Sequence, residues 1–408
     1  MTHEIRAQFP FLEGKSPLIY LDNAATTQKP RVVIDEISSF YSQGYGNISR
    51  GSHQFTRKTT TQFEEARKTV GEFVHAISPH EIVFTSGSTE GINLVADAIS
   101  SQSASSADSV ILATKLEHHS NLLPWMRLAK EKNMELIYLP LKDNLTIDLE
   151  GLQKIVNEHE IAVVTISHVS NVTGTIQPIR KISEMVKQKH PEAIVVTDAS
   201  QSIGHMPVNV QQLKTDFLVF SAHKVYGPTG TGVLYGREEL LQSLDPYRVG
   251  GGMVKEVTST SYDPRRSPMR FEAGTPNIEG AIGLATACTW LDNIGREEVA
   301  EFETRLADIL RHQLISLDLE GLVVLGDREA EHAGIVSFYV DGLASEDIAN
   351  YLDDDGILVR SGHHCAKPAH KELFGKDSSV RVSFGIYNTE KDIEKLITSL
   401  SAATQMLR

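Results

Sequence analysis

The stretch FLVFSAHKVYGPTGTG, residues 217–232, places a lysine between an apolar run and a glycine-rich turn. The run FLVF predicts a buried strand, and polar residues follow it at once. An exposed Lys224 would gain nothing from this setting. A lysine that is held among polar partners and partly desolvated has a lowered pKa, and its free lone pair can form a Schiff base. Lys224 is therefore a candidate for covalent chemistry.

Runs like FLVF recur along the first part of the chain, with helical patterns such as INLVADAI and LPWMRLAKEK between several of them. In those patterns apolar residues lie three and four apart. Alternating strands and helices predict an α/β fold, in which a largely parallel sheet is covered by helices on both faces. The predicted strands are IVF from 82, VILA from 110, LIYLPL from 136, IAVVTI from 161, AIVV from 193 and FLVF from 217.

The pattern changes after Gly274. Helices are predicted at 280–291 and 296–317, and the strands LVVLG, IVSFYV and ILVR follow. A closing helix begins at about Thr389. This mixture predicts a smaller α+β unit.

The chain of 408 residues is too long for one ordinary apolar core. We therefore expect a large domain at 21–285 and a small domain at 1–20 together with 286–408. The 40% of hydrophobic and 23% of charged residues are typical of a soluble globular protein. A formal net charge of -14 disfavours binding to nucleic acid or anionic membranes, because those surfaces attract excess Lys and Arg. Small-molecule chemistry is favoured.

The N-terminal sequence MTHEIRAQFPFLEG lacks the basic start and apolar core of a secretory signal, and no apolar run reaches the roughly 18 residues of a membrane span. A cytoplasmic location is expected. Two cysteines cannot form a disulfide framework. Cys288 shares helical spacing with Ile282, Ala285 and Thr289, which predicts a core thiol.

Polar residues follow the predicted strands, and in a parallel sheet ligands bind at these carboxyl ends. Each residue alone has an ordinary structural reading as a helix cap or a solvated loop residue. Together they meet the needs of pyridoxal phosphate, although from the residues alone a nucleotide is about as plausible, since both cofactors use phosphate cradles. The candidates are Ser88, Thr89, His118, Asn171, Asp198, Gln201, Ser221, His223 and Lys224.

With pyridoxal phosphate bound, Lys224 would form the Schiff base and Asp198 would keep the pyridine nitrogen protonated, which strengthens the ring as an electron sink. His118 would stack on the ring face. The phosphate would lie on the turn TSGSTEG at 85–91 before the next helix, with Ser88, Thr89, Ser221 and His223 around it. Asn171 and Gln201 would hydrogen-bond near the ring hydroxyl.

Cys365, in RSGHHCA at 360–366, has three possible roles: metal ligand, buried filler or nucleophile. Three consecutive ligands fit poorly around one tetrahedral ion, so we expect no metal site. A nucleophile needs a partly exposed thiolate on a mobile segment. Gly362 would give the loop freedom, and Arg360, His363 and His364 are expected to favour the thiolate or to shape the loop.

Several segments together resemble the class V aminotransferase superfamily of fold-type I pyridoxal-phosphate enzymes, and within it the SUF-type (group II) cysteine desulfurases. The resemblance runs roughly from Tyr20 to Asn388. The segments that carry it are YLDNAATTQKP, FTSGSTEGINLVA, LEHHSNLLPW, HVSNVTGTIQP, TDASQSIGH, FSAHKVYGPTGTGVLY, FEAGTPN and VRSGHHCAKP.

The resemblance implies that L-cysteine is converted to L-alanine with a persulfide on Cys365, for transfer to an acceptor protein of SUF iron–sulfur cluster assembly. It implies a homodimer in which Thr275, and the GGGM turn at 250–253, reach the neighbouring subunit's site. Arg381 would bind the substrate carboxylate, together with Asn171, and Arg360 would line the site. The small domain would carry the cysteine loop. Alternatives are a selenocysteine lyase or another β-eliminating lyase, and a non-catalytic binding protein, which the presence of Lys224 disfavours.

Two positions depart from the family pattern. Ser49-Arg50-Gly51 stands where His-Arg-Gly is usual, although His53 follows in place. Lys367 stands where relatives commonly have an uncharged residue. We expect the first change to affect a local contact at the site entrance, and the second to alter the surface that meets the sulfur acceptor.

Overall fold

The computed structural model describes residues 3–14, 18–49, 51–101, 108–326 and 329–408. Arg50 and most of the loop predicted at 100–109 lie outside this part of the chain. The strands in chain order are β1 (Ile19–Tyr20), β2 (Ile82–Thr85), β3 (Ser109–Ala113), β4 (Glu135–Tyr138), β5 (Glu160–Ser167), β6 (Ile194–Asp198), β7 (Phe217–Ser221), β8 (Gly232–Gly236), β9 (Val254–Val257), β10 (Tyr262–Pro264), β11 (Leu322–Leu325), β12 (Ile335–Val340), β13 (Ile357–Leu358), β14 (Arg360–Gly362) and β15 (Ser379–Ser383).

The helices vary from single turns to α11, which is 21 residues long. They are α1 (His3–Arg6), α2 (Arg31–Gln43), α3 (Gln54–Phe73), α4 (Ser88–Ser101), α5 (Leu123–Lys132), α6 (Leu149–Glu158), α7 (Ile179–Lys189), α8 (Val210–Leu213), α9 (Glu238–Ser243), α10 (Ile278–Ile294), α11 (Arg296–Ser316), α12 (Ser345–Asp354) and α13 (Glu390–Leu407).

The large sheet has seven strands in the order β2-β8-β7-β6-β5-β3-β4. All six predicted strands are present in it, and the α/β prediction is confirmed. The sequence reading missed β8, which lies antiparallel between β2 and β7. The connection from β7 to β8 is short and contains no crossover helix, and only an antiparallel pair can be joined in this way.

The central strands β5, β6 and β7 of the large sheet are almost wholly buried because both faces are covered. In β7, Leu218 and Phe220 face a core shared with α2, α3 and α10, whereas Phe217 and Val219 face α4 and α5. This alternation is the ordinary pleat of a strand. Cys288 on α10 is fully buried in the first core, which confirms the predicted core thiol. Burial raises the pKa of its thiol well above the ordinary range.

The smaller sheet is antiparallel, in the order β11-β12-β15-β14, and packs against α11, α12 and α13. The run predicted as one strand, ILVR, divides into two. Its first half, β13, pairs in parallel with β1, and its second half, β14, pairs with β15. The register of β14 sets Arg360 opposite Arg381. The chain therefore leaves β14 directly into the segment that carries Cys365.

The predicted division into domains at 21–285 and at 1–20 with 286–408 stays a prediction. Helix α10 crosses position 285, and residues on both sides of it, such as Leu284 and Leu291, pack in the same core. Helix α13 begins as expected, because Thr389 and Asp392 form a reciprocal capping box at its start. Among the described residues, no helix is both long and apolar enough to cross a membrane.

Candidate active site

A cavity of about 220 Å³ lies at the carboxyl ends of β5, β6 and β7, beside the first turn of α4. This is where a parallel sheet is expected to bind ligands. The cavity brings together every residue predicted for the site except Thr275. The predicted residues that line it are Ser88, Thr89, His118, Asn171, Asp198, Gln201, Ser221, His223, Lys224, Arg360, Cys365 and Arg381.

Lys224 ends a 3₁₀ turn, Ala222–Lys224, that directly follows β7. The turn is held from the N-terminal segment, because Thr27 N (2.9 Å) and Lys29 Nζ (3.0 Å) both donate to the carbonyl oxygen of His223. Gly204 packs so closely against the turn that a Cβ there would overlap the Lys224 carbonyl. Burial lowers the pKa of Lys224 to about 8, and Asp198 opposes this shift. A neutral, nucleophilic amine is therefore accessible near neutral pH.

Asp198 is the last residue of β6 and is 4% exposed. One of its carboxylate oxygens, Oδ1, accepts a hydrogen bond from Ser200 N at 2.9 Å. Its main-chain carbonyl accepts from His168 N, also at 2.9 Å. The carboxyl group is thus fixed at the strand end, within electrostatic reach of Lys224.

The predicted phosphate-binding turn leads into the start of α4. Ser88 N donates to Ser221 Oγ at 2.9 Å, and that hydroxyl donates in turn to Ser88 Oγ at 3.0 Å. Thr89 follows, and its hydroxyl bonds Ser120 at 2.8 Å. Free main-chain N–H groups and the helix dipole attract an anion to such a turn. Burial, together with the charge of Lys224, lowers the pKa of His223 to about 4, so its imidazole is neutral here.

His118 stands opposite the strand ends as the N-cap of a 3₁₀ turn, His119–Asn121. Its Nδ1 accepts a hydrogen bond from Ser120 N at 3.1 Å. Burial, followed by the charge of Lys224, lowers the pKa of His118 to about 3. The ring is therefore neutral with its proton on Nε2, which suits stacking on another ring better than a charged imidazolium would.

Arg381 is 2% exposed, and it contacts a residue that the sequence reading did not select. Its guanidinium donates to Asp22 Oδ1 at 3.2 Å and to the Asn171 carbonyl at 3.0 Å. Burial lowers the pKa of Arg381 to about 10 against the opposing effect of Asp22. Asp22 follows the short strand β1, so the rule used for the other strand ends would have found it.

Cys365 is half-buried, and its loop is anchored rather than free. Both His364 (φ 50°) and Cys365 (φ 55°) adopt the left-handed conformation, which costs about 1–2 kcal/mol for each non-glycine residue. Hydrogen bonds fix this geometry: Asn171 Nδ2 donates to the His364 carbonyl, and His119 N donates to the Cys365 carbonyl, both at 2.6 Å. These contacts show what holds the loop in this conformation, and the expected mobility of the segment stays a prediction.

The two histidines before Cys365 have different surroundings. His363 accepts a hydrogen bond from Cys365 N on Nδ1 at 3.1 Å, and its ring lies tilted against that of His119, with 5.4 Å between ring centroids. His364 is buried, and burial lowers its pKa well below the ordinary value. A neutral His364 supplies no positive charge to the thiolate. Its contribution is to the shape of the loop.

The hydrogen bonds around Ser379 fix the tautomers of both His364 and His370. His370 Nδ1 bonds the Ala366 carbonyl at 3.2 Å, so Nδ1 carries the proton and Nε2 accepts from Ser379 Oγ at 3.0 Å. The Ser379 oxygen is then free to accept from His364 Nε2, also at 3.0 Å. His364 therefore donates to Ser379, Ser379 donates to His370, and His370 donates to the Ala366 carbonyl beside Cys365.

Thr275 lies outside the cavity. It lines a separate depression with Glu272 and Arg248, on the other side of the turn at 85–89. Glu272 is anchored by a bidentate pair with Arg67, at 2.7 and 2.8 Å. The GGGM turn at 250–253 is close by, since Gly274 N donates to the Gly251 carbonyl.

Four residues that line the cavity carry a buried polar atom without a hydrogen-bond partner in the described part of the chain. These atoms are Ser200 Oγ, Gln201 Oε1, His364 Nδ1 and Arg381 Nε. Buried polar groups normally find partners, so these atoms fit a polar molecule in the cavity. A desolvated lysine, a carboxylate at a strand end and a helix N-terminus that attracts anions are together the donor set that pyridoxal phosphate requires. Fold and site thus define a pyridoxal-phosphate-dependent enzyme.

Comparison with known proteins gives the family. The model of the class-V aminotransferases matches residues 19–396, and the chain belongs to that family. It is 42% identical to a probable cysteine desulfurase of Halalkalibacterium halodurans, over 98% of this chain and 97% of the relative. It is 38% identical to a cysteine desulfurase of Pectobacterium atrosepticum, over 99% and 98% of the two chains.

Solved structures give the same result. An apo cysteine desulfurase from Thermococcus onnurineus NA1 superposes with a TM-score of 0.92 at 38% identity, covering 99% of this chain and 97% of that one. The cysteine desulfurase CsdA of Escherichia coli, in an S-sulfonic acid form, superposes with a TM-score of 0.88 at 32% identity, covering 99% and 98%. The predicted fold and family are confirmed.

Proposed function

We propose that this enzyme, a pyridoxal-phosphate-dependent cysteine desulfurase, converts L-cysteine to L-alanine and retains the sulfur as a persulfide on Cys365. One observation carries the proposal: Cys365 shares the cavity with Lys224, Asp198 and Arg381. A cysteine placed there can reach the sulfur of a substrate whose amine lies at Lys224. The relatives at 38% to 42% identity that are named cysteine desulfurases support the reaction.

The cofactor would be held by the residues that surround the cavity. Lys224 would bind it covalently, and Asp198 would hold the ring nitrogen in its protonated form. Neutral His118 would cover one face of the ring, and Gln201, whose Oε1 lacks a partner among the described residues, would bond at its edge. Ser88, Thr89, Ser221 and His223 would surround the phosphate at the start of α4. When bound, pyridoxal phosphate supplies an electron sink for the charge left on the substrate Cα.

Substrate orientation would come from the two arginines on paired strands. Arg381 is suited to bind the substrate carboxylate, because only two of its five N–H donors make hydrogen bonds in the described part of the chain, to the Asn171 carbonyl and Asp22, and its Nε has no partner there. Asn171 would add a further contact, and Arg360 would contribute positive charge from the opposite strand. Asp22 fixes the far side of the Arg381 guanidinium, so the arginine meets the substrate in one orientation.

Once the substrate amine replaces it, Lys224 can take the proton from Cα, because burial keeps its pKa near 8. The Cys365 thiolate then attacks the substrate sulfur. The new S–S bond forms as the Cβ–S bond breaks, and the electron pair stays with Cβ, which takes up a proton to become the methyl group of alanine. Lys224 would return a proton to Cα, which completes the alanine product. The enzyme is left as a Cys365 persulfide, which passes to an acceptor by thiol exchange.

The assembly and the acceptor belong to the same proposal. We place the enzyme in the SUF-type (group II) branch, as a cytoplasmic homodimer that supplies sulfur to an acceptor protein of SUF iron–sulfur cluster assembly. The position of Thr275 supports a dimer, because a residue expected to bind the cofactor phosphate lies outside its own chain's cavity. A second copy would then present Thr275 and the turn at 250–253 to that phosphate.

The test is incubation of the holoenzyme with L-cysteine. We expect alanine in the supernatant and a mass increase of one sulfur on the peptide that contains Cys365. Cys365→Ala should form neither in appreciable amount, whereas Cys288→Ala, which removes the buried thiol, should behave as the wild type. Alanine formed by Cys365→Ala at the wild-type rate would refute the persulfide mechanism.

A further inference from the structure

Glu117 is a buried carboxyl group to which the proposed mechanism gives no part. It is 1% exposed and lies on the segment that follows β3. Four donors surround it: Thr114 Oγ1 at 2.7 Å on Oε1, and Asn121 Nδ2 at 2.7 Å, Ser167 N at 2.8 Å and Ser167 Oγ at 2.6 Å on Oε2. Thr114 and Asn121 belong to the same segment as Glu117, whereas Ser167 lies 50 residues further along the chain.

These bonds connect elements that carry the site. Asn121 ends the 3₁₀ turn that His118 caps, and Ser167 is the last residue of β5. Asn121 Oδ1 also accepts from Thr165 Oγ1 at 2.7 Å, which is a second link to β5. The carboxyl group therefore fixes the turn against the strand end.

Both neighbours of Glu117 in this arrangement face the cavity. His118 follows it directly in the chain, and Ser167 lines the cavity and stands opposite Asp198 in the register of β5 and β6. Glu117 thus lies behind the cavity wall, between the residue expected over the ring face and the strand that runs beside Asp198. It does not itself line the cavity.

The setting of Glu117 is electrostatically costly. The pKa of its carboxyl group is raised to about 7, because the effect of burial exceeds the opposing effect of the hydrogen bonds from Ser167, Thr114 and Asn121. Asp198 adds a smaller upward shift. Because removing a carboxylate from water costs free energy, an apolar side chain at position 117 would stabilise the fold more simply. The value of the carboxyl group lies in the directions of its hydrogen bonds.

We propose that Glu117 is a positioning residue that sets the orientation of His118 against the cofactor ring by joining the 118–121 turn to the end of β5. The inference rests on the proposed roles of His118 and Lys224. It predicts that the geometry of the hydrogen bonds, rather than the charge, is what Glu117 supplies.

The substitution Glu117→Gln separates these two contributions. The amide oxygen of the glutamine can replace Oε2 and accept hydrogen bonds from Asn121 and Ser167. Its NH₂ group can donate to Thr114 Oγ1, which accepts a hydrogen bond from Leu116 N at 3.1 Å and can accept a second one. Glu117→Ala removes every one of these bonds. The geometry is therefore retained in one variant and lost in the other.

The readout is the circular dichroism of the bound cofactor in the visible range, which reports how the ring is oriented in its chiral site, alongside far-UV circular dichroism for the fold. We expect Glu117→Ala to lose more than about half of the visible signal and about tenfold in kcat, since a small misplacement near the reacting atoms is costly. Glu117→Gln should restore both. Asp216→Asn is the matched control, because Asp216 is also a carboxyl group that is 1% exposed, but it lies at the amino end of β7, away from the cavity at the carboxyl end. This variant should leave the visible signal unchanged.

A double variant tests whether the effect passes through His118. In a His118→Ala background, Glu117→Ala should cause no further loss of visible signal. Independent, additive losses would overturn the inference, and so would a Glu117→Gln protein as impaired as Glu117→Ala. The visible band of the wild type and its loss in Lys224→Ala test the proposed function itself. A wild type with that band and an unaltered signal in Glu117→Ala would refute this inference alone.

Discussion

The substitution Ser379→Ala isolates the support of the Cys365 loop from the chemistry of the cavity. Ser379 is fully buried on β15 and does not line the cavity, but its hydroxyl bonds both His364 and His370 at 3.0 Å. Removing the hydroxyl leaves two buried imidazole nitrogens without their partner. The loop then loses a constraint that holds His364 and Cys365 in the left-handed conformation.

The size of the effect follows from these bonds. Two neutral hydrogen bonds contribute about 1–3 kcal/mol together. The left-handed conformation of the two residues costs about 2–4 kcal/mol, so the loss is large enough to shift the loop toward other conformations. If the loop conformation limits the persulfide step, this step should slow by roughly 5- to 150-fold, at 1.4 kcal/mol for each factor of ten.

The assay is single-turnover formation of the Cys365 persulfide, measured by alkylation and mass spectrometry after mixing with L-cysteine. The visible spectrum of the bound cofactor should not change, because Lys224 and Asp198 are untouched. Ser399→Ala is a suitable control, since Ser399 on α13 also loses a side-chain hydrogen bond, to Asp355, that is not part of the network around His364 and His370. Persulfide formation at the wild-type rate in Ser379→Ala would show that this network does not hold the loop.

Three further outcomes are expected. Lys224→Ala should not retain the cofactor covalently, so borohydride treatment, which fixes a Schiff base, should add cofactor mass to the wild type alone. Arg381→Lys should raise KM for L-cysteine about tenfold or more while persulfide chemistry on Cys365 continues, because a lysine cannot make the bidentate contact; an unchanged KM would remove Arg381 from carboxylate binding. Burial lowers the pKa of His168 to about 4, against about 6.5 in an unfolded chain. Because the unfolded state then binds more protons in this range, the free energy of unfolding should decrease as the pH is lowered from 6.5 to 4. Denaturant titration should show a shallower fall in His168→Gln.

Much of the fold could be predicted, because the signals for it are local. Buried strands such as β7 contain an unbroken apolar run, FLVF at 217–220, and helix starts such as Thr389 carry their own capping groups. Strand β8 and helices α2 and α3 were not predicted from the sequence. In β8 the short run GVLYG sits inside a glycine-rich motif, and its direction depends on a pairing with β2, far away in the chain.

The candidate site divides in the same way. Residues that directly follow a strand, such as Asp198 and Lys224, could be selected because a parallel sheet gathers its carboxyl ends at one edge. Asp22 follows a strand of only two residues and was missed. The hydrogen bond between Arg381 and Asp22 could not be predicted from sequence spacing. Arg381 lies on β15 and Asp22 follows β1, so the two residues come from opposite ends of the chain.

By itself the sequence determined the alternation of strands and helices, the order of polar residues at the strand ends and the presence of one cysteine outside any helical pattern. These are properties of neighbours along the chain, where periodicity and turn chemistry act. Only the tertiary structure decided that Cys365 lines the same cavity as Lys224, that residues 364 and 365 adopt the left-handed conformation and that burial lowers the pKa of His364. Those features depend on strand register and on burial, which arise only when distant segments pack together.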